Sequence, residues 1–159
     1  MLTDTLTSWL ETLRAPIATM TGLSEDAVVV YAQQDVESAV LDACARHQCA
    51  VLLGLPSGSG SDDSSQSNPV MAVDLEVEVW TPKLTMGPGS VLTLDVAEWI
   101  MHGLHGYRPP ERAATNGRNR IPAFRRYGLR VENKDGSEWL VANLQFSVPM
   151  KANARPESA

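Results

Sequence analysis

Two groups of residues have the types and spacing to support chemistry. His102 and His105 stand three apart in a run with helical periodicity, so both share one helix face and can reach one metal ion. Zinc would need further ligands, and the available donors are Cys44, His47 and Cys49 in the stretch CARHQC. Neither that spacing nor HGLH matches a zinc knuckle or the His-Glu-x-x-His helix of a metalloprotease. Histidines at the C-terminal end of a helix are also favoured by the helix dipole alone. The second group is Asp74, Glu76 and Glu78, alternating with Val73, Leu75, Val77 and Val79. On a strand, successive carboxylates lie about 7 Å apart, which overlaps glycosidase geometry. A glycosidase also needs a concave aromatic-lined site and one carboxyl with a raised pKa, and a flat face of three equivalent acids provides neither. The stripe reads as a solvated strand face, or as an acidic surface turned toward a channel.

Other motifs exclude activities. Residues 57–61 alternate Ser and Gly, but no Lys-Ser/Thr ending or helix start follows, so they are not a phosphate-binding loop. There is no Gly-x-Ser-x-Gly elbow and no Cys/His pair in a protease context. No catalytic residue, metal or cofactor is expected. Arg125 and Arg126 adjoin Phe124 and Tyr127, a basic and aromatic patch. With a net charge of −6, a subunit contact suits this patch better than nucleic acid. Arg108, Arg112, Arg118, Arg120, Arg125, Arg126 and Arg130 crowd one stretch offset only by Glu111. That polarity fits association between unlike surfaces as well as it fits a solvated loop.

The positioning elements follow from periodicity. Asp4 can cap a first helix with Leu6, Trp9, Leu10 and Leu13 on its apolar stripe, and Pro16 limits it or begins a second turn. AVVVYA at residues 27–32 reads as a short strand. Asp35 caps a second helix with Val36, Ala39, Val40, Ala43 and Cys44 inward, and AVLLGL at residues 50–55 reads as a buried strand. Residues 57–68, all Ser, Gly and polar types, read as a flexible loop. The acidic strand spans residues 70–80. Ser90 then caps a third helix carrying Leu92, Val96, Ile100 and Leu104, with Asp95 in its early turns and Gly103 and Gly106 marking its end. Residues 108–120 read as an irregular loop. Residues 124–132 and 138–149 make a hairpin across Asn133, Lys134, Asp135 and Gly136. Trp9 and Trp99 are expected in the core; Trp80 and Trp139 stand at strand ends, where aromatic anchors of interfaces occur, with the core as the default for both.

These elements imply one α+β domain over residues 1–151, with a disordered tail at 152–159. Their order is α-β-α-β-β-α-β-β, a mostly antiparallel sheet with helices packed on one face. A chain of 159 residues can bury a real core. No apolar run approaches the ~20 residues of a membrane helix. The N-terminal stretch lacks a basic start and a continuous apolar core, so it reads as an amphipathic helix, not a signal peptide. Cys44 and Cys49 are expected as buried thiols in a reducing compartment.

From LEVEVW at residues 75–80 through LDVAEWIMHGLHGY at residues 94–107, the chain resembles tail-terminator or tail-completion proteins of long-tailed bacteriophages and prophages, and related neck proteins. The amphipathic start and the two long closing strands extend the likeness in layout. The resemblance implies a structural α+β protein, assembled in the bacterial cytoplasm as a ring, usually a hexamer. That ring caps the tail tube and joins it to the neck, with DNA passing through without specific binding. On that reading Asp74, Glu76 and Glu78 face the lumen, and Trp80, Arg118, Arg120, Arg125 and Arg126 make subunit contacts. Another head–tail connector or minor tail protein, a non-enzymatic interaction module and, last, a small metal-dependent enzyme are the alternatives.

Overall fold

The alternation at residues 73–79 builds the centre of the molecule. In a computed structural model, residues 2–31, 35–54, 57–60, 70–82, 93–108, 121–134 and 136–151 are described. The chain runs α1 (Leu2–Glu11), α2 (Arg14–Thr21), a single 3-10 turn (Glu25–Ala27), β1 (Val28–Val30), α3 (Val36–His47) and β2 (Ala50–Leu53). It continues through β3 (Ser57–Gly60), β4 (Val70–Pro82), α4 (Thr93–Leu104), β5 (Ala123–Lys134) and β6 (Ser137–Lys151). One six-stranded sheet has the order β1-β2-β4-β6-β5, with β3 beside β4. Only β1 and β2 are parallel. The fold is α+β with a mostly antiparallel sheet, as the element order predicts.

Of the two readings of Pro16 the structure shows the second, a separate helix from Arg14. Leu13 is the N-cap of α2, so Pro16 falls in its first turn, where a missing N–H costs nothing. The second helix ends on Gly22 at φ 71°, a left-handed stop that glycine adopts freely. Asp35 caps α3 by accepting from the Ser38 N–H, as expected. Gly136, at φ 76°, closes the β5–β6 hairpin. Residues 57–60, expected from composition to be a flexible loop, instead pair with β4 from Asp74 to Met71. An exposed neighbouring strand offers them backbone partners despite their poor strand propensity. Ser90, and residues 61–69 and 152–159, lie outside the described residues.

The helices do not all lie on one face. Odd-numbered β4 residues Val73, Leu75, Val77 and Val79 join Val51, Leu53, Leu144 and Phe146 in a core that Leu10, Leu13, Ile17, Val96, Ile100 and Leu104 cover. A second cluster holds Val40, Ala43 and Cys44 of α3 against Ala50, Leu52, Trp80 and Val141, all of opposite parity. So α1, α2 and α4 cover one face and α3 the other. The cause is topological. Parallel neighbours need a crossover, and the crossover element between β1 and β2 is α3. All four β2 residues are buried, as a strand covered on both sides requires.

The contact between α2 and α4 leaves no spare room. A Cβ at Gly103 would lie 2.5 Å from Met20 Sδ and 3.1 Å from Met20 Cβ. Gly103, one residue before α4 ends at Leu104, therefore also permits close helix packing, and Gly106 at φ 72° follows the helix end as expected. Gly103→Val should destabilise the fold by about 2 kcal/mol, measured by urea unfolding, and pairing it with Met20→Ala should recover part of the loss.

Candidate assembly surface

Even-numbered β4 residues face the α3 side, and α3 covers only part of it. Beyond α3, β4, β6 and β5 present an open polar surface whose rows follow from register. Asp74 pairs with Ser147, which pairs with Ala123. Glu76 stands beside Gln145, which stands beside Arg126; Glu78, Asn143 and Gly128 form the next row; Trp80, Val141 and Arg130 form the last. Sequence reasoning found the carboxylate stripe but not what lies across from it.

Arg130 ties this surface together. Its Nη2 donates to Glu78 Oε2, and its Nε donates to Glu132 Oε1 at 2.7 Å. Its guanidinium lies 5.8 Å from the Trp80 ring centroid, in cation–π range. Partial burial alone would lower the Arg130 pKa, but the hydrogen bonds and charges of Glu78 and Glu132 outweigh it and hold the pKa above its usual value. Glu78 is half-buried and ion-paired with Arg130 within the chain, Asp74 is half-buried, and Glu76 is exposed. Arg126 is exposed and donates through Nε to Gln145 Oε1. Arg125 is exposed at a bulge in β5. Arg118 and Arg120 lie outside the described residues. Trp80, a candidate interface anchor by its place in the sequence, is 7% exposed within the single chain, filling the seam between α3 and the sheet. Trp139 packs at the border of the same cluster.

The opposite face has its own open strip. On β5, Tyr127, Leu129 and Val131 pair with Leu144, Ala142 and Leu140 on the α4 side. They are 62%, 47% and 50% exposed. Between them and α4 runs an open groove of about 600 Å³, lined by Leu94, Met101, His105, Phe124 and Tyr127 among others. The sequence carried a signal for this row, since Tyr127, Leu129 and Val131 alternate with Arg126, Arg130 and Glu132. Trp99, expected in the core, is 47% exposed because Val96, Ile100 and Leu104 take the inward side of α4.

The metal-ligand candidates do not converge. His102 and His105 sit on α4, whereas Cys44 and His47 sit on α3 across the sheet. His105 instead joins the end of α4 to the start of β5, because its Nδ1 accepts the Phe124 N–H at 3.0 Å. With Nδ1 the acceptor, the N–H of the neutral ring lies on Nε2. Among the described residues no three His, Cys, Asp or Glu side chains cluster to hold a metal. No described helix is long and apolar enough to cross a membrane.

Cys44 and Cys49 are both buried and unpaired. Burial pushes the Cys44 thiol up to about 12 despite a backbone hydrogen bond at Ala50. Burial, with Cys44 nearby, pushes Cys49 up to about 12 as well. In the unfolded chain both ionise near 9.0, so above that pH the unfolded state releases protons that the folded state keeps. Their stabilising contribution is therefore complete below pH 9 and lost progressively between 9 and about 12. Wild type should lose unfolding free energy more steeply over that range than a Cys44→Ala, Cys49→Ala double variant. Neither thiol should react with a disulfide reagent at pH 8 until the chain is denatured.

No family model matches the chain, and no curated protein matches it. Among solved structures, the fold is similar to that of a chain in "Virion of native gene transfer agent (GTA) particle". The superposition has a TM-score of 0.52 at 15% sequence identity and covers 86% of this chain and 84% of that chain. At that identity the likeness is one of fold, and it spans nearly the whole of both chains.

Proposed function

We propose that this protein is a structural component of a phage-like particle, and within it a tail-terminator or tail-completion subunit. It assembles in the bacterial cytoplasm as a ring of about six copies that caps the tail tube and meets the neck. The observation that carries this reading is the fold shared, over most of both chains, with a protein of a gene transfer agent virion. The surface supports it. A heterologous ring needs two unlike faces on each subunit. The β5 side, with exposed Arg125 and Arg126, differs in charge and apolarity from the rest of an acidic chain. Arg118 and Arg120 belong to the same ring contact. Trp80 serves it from inside the subunit, by holding Arg130.

Asp74, Glu76 and Glu78 face the lumen in this reading. Exposed Glu76 supplies most of the field, because Arg130 offsets Glu78. A weakly acidic lumen repels phosphates and lets DNA pass without binding. The likeness in fold fits a head–tail connector or minor tail protein equally in principle, and the assembly itself separates these roles. A terminator stops at one ring, and a tube subunit polymerises.

The test is light scattering and negative-stain imaging of the protein alone and mixed with open-ended tail tubes. A single closed ring with a central hole, free or at a tube end, is the expected result. Filaments, or no ring in either setting, would overturn the terminator reading. Reversing both charges in Arg125→Glu, Arg126→Glu should abolish the ring while leaving the thermal midpoint within a few degrees, since both side chains are exposed.

A further inference from the structure

The two sides of the sheet end in unlike edges. On one, β1 contributes three residues and β3 four; on the other, β5 contributes twelve. Among the described residues, nothing pairs with the outer edge of β5. Proteins usually blunt so long an edge with charge, proline or a covering element. Here one face of the edge carries the half-exposed row Tyr127, Leu129 and Val131, and the bulge at Arg125 interrupts only its start.

The order of side chains along this edge is self-complementary about Leu129. In an antiparallel pair with a two-fold axis at that residue, Tyr127 of one copy stands opposite Val131 of the other. Leu129 meets Leu129, and Arg126 meets Glu132. Parity is kept. Tyr127, Leu129 and Val131 share the α4-side face, and Arg126, Gly128, Arg130 and Glu132 share the other. Gly128 falls opposite Arg130, and nothing lies within 4 Å of a Cβ at Gly128, so the long side chain has room. Moving the axis by one residue either way removes the match. An axis at Gly128 sets Arg126 against Arg130, and one at Arg130 sets Arg126 against Lys134. Like charges directly opposite each other destabilise a strand pair.

We propose that in the free protein a second copy of this chain pairs with β5, antiparallel and about a two-fold axis at Leu129, so that the two sheets become one. The occupant is a second copy because only self-pairing calls for a palindromic order of charge and apolarity. Glu132, already bound to Arg130 of its own chain, then stands between two arginines, and symmetry makes this contact twice. The pairing does not rest on the ring reading. Since the ring contact uses Arg125 and Arg126, pair and ring compete for one edge, and the pair protects that edge until a tail end is available.

The test is cysteine cross-linking of the full chain, with Cys44 and Cys49 buried and silent. Opposite residues in an antiparallel pair have Cα atoms about 4.5–5.5 Å apart, within disulfide range. Leu129→Cys should therefore give a disulfide-linked dimer under mild oxidation. Val131→Cys alone should not, because its own counterpart lies roughly 13 Å along the strand. A mixture of Tyr127→Cys and Val131→Cys proteins should link to each other. By light scattering, Arg126→Glu should weaken the dimer ~10-fold or more, and adding Glu132→Arg should restore most of it. An unlinked Leu129→Cys protein, or Val131→Cys linking equally well, overturns the pairing. A free Leu129→Cys protein that stays unlinked yet forms a ring on tail tubes overturns the pairing and leaves the terminator reading standing. A free Leu129→Cys protein that links, but that when reduced never forms a ring on tail tubes, upholds the pairing and overturns the terminator reading.

Discussion

The register between β4 and β6 is the constraint on which the rest of the structure depends. Thirteen consecutive residues of β4, from Val70 to Pro82, pair with Lys151 to Trp139 without a bulge. Because side chains alternate, a slip of one residue would turn Val73, Leu75, Val77 and Val79 out of the core and drive Asp74, Glu76 and Glu78 into it. Burying three unpaired carboxylates costs far more than any loop closure could recover. The register is therefore fixed by the sequence of β4 itself. It carries β5 with it through the tight hairpin and sets which residues stand beside the acidic stripe.

That register also explains the division of labour on the α3 side. Near Trp80, α3 closes over the sheet, and the strand presents an indole instead of a carboxylate. One row farther on, where α3 no longer covers the sheet, Glu78 finds Arg130 on the far strand. Arg130 sits at the border between covered and open surface, with its stem and ring-facing plane toward Trp80 and its donors toward two acids. Such a residue does little for net stability when partly solvated. It does fix geometry: an arginine fork satisfied by Glu78 and Glu132 cannot wander, so the polar face of β5 is held in one arrangement.

Much of this was legible in the chain because the decisive signals are local. Period-two alternation located β4 and β6, Asp35 announced the start of α3, and Gly136 closed the hairpin. What the sequence hid was which elements meet. The four apolar residues of β2 did carry the news that both sheet faces are covered, but only a known parallel pairing with β1 turns that into the position of α3. Trp99 was misplaced because an aromatic residue on an amphipathic element is assigned by its neighbours in sequence, whereas burial is decided by the element packed across from it. Trp80 is buried because α3 crosses there, and Trp99 is exposed because smaller residues already fill the inner side of α4. The carboxylate stripe was seen, but the arginine that neutralises part of it lies 52 residues away in sequence. Of the arginines assigned to subunit contacts, Arg125 and Arg126 fall together at the start of the exposed edge strand, where register and bulge, not composition, put them.

Among the described residues nothing covers the long edge of β5, and an edge of that kind beside a half-exposed apolar row is what an isolated soluble chain should avoid. The other described edges do not share the defect. β1 is three residues long and follows a capped 3-10 turn, β3 is four residues long, and α3 seals the seam that Trp80 would otherwise open. Arg125 breaks the ladder only at the start of β5, leaving the pairing from Arg126 to Lys134 regular. A stable monomer alone would be served as well by a polar residue at Leu129 or Val131, because neither fills the core. Their presence beside charges of ordered sign fits a strand whose second partner arrives from another molecule.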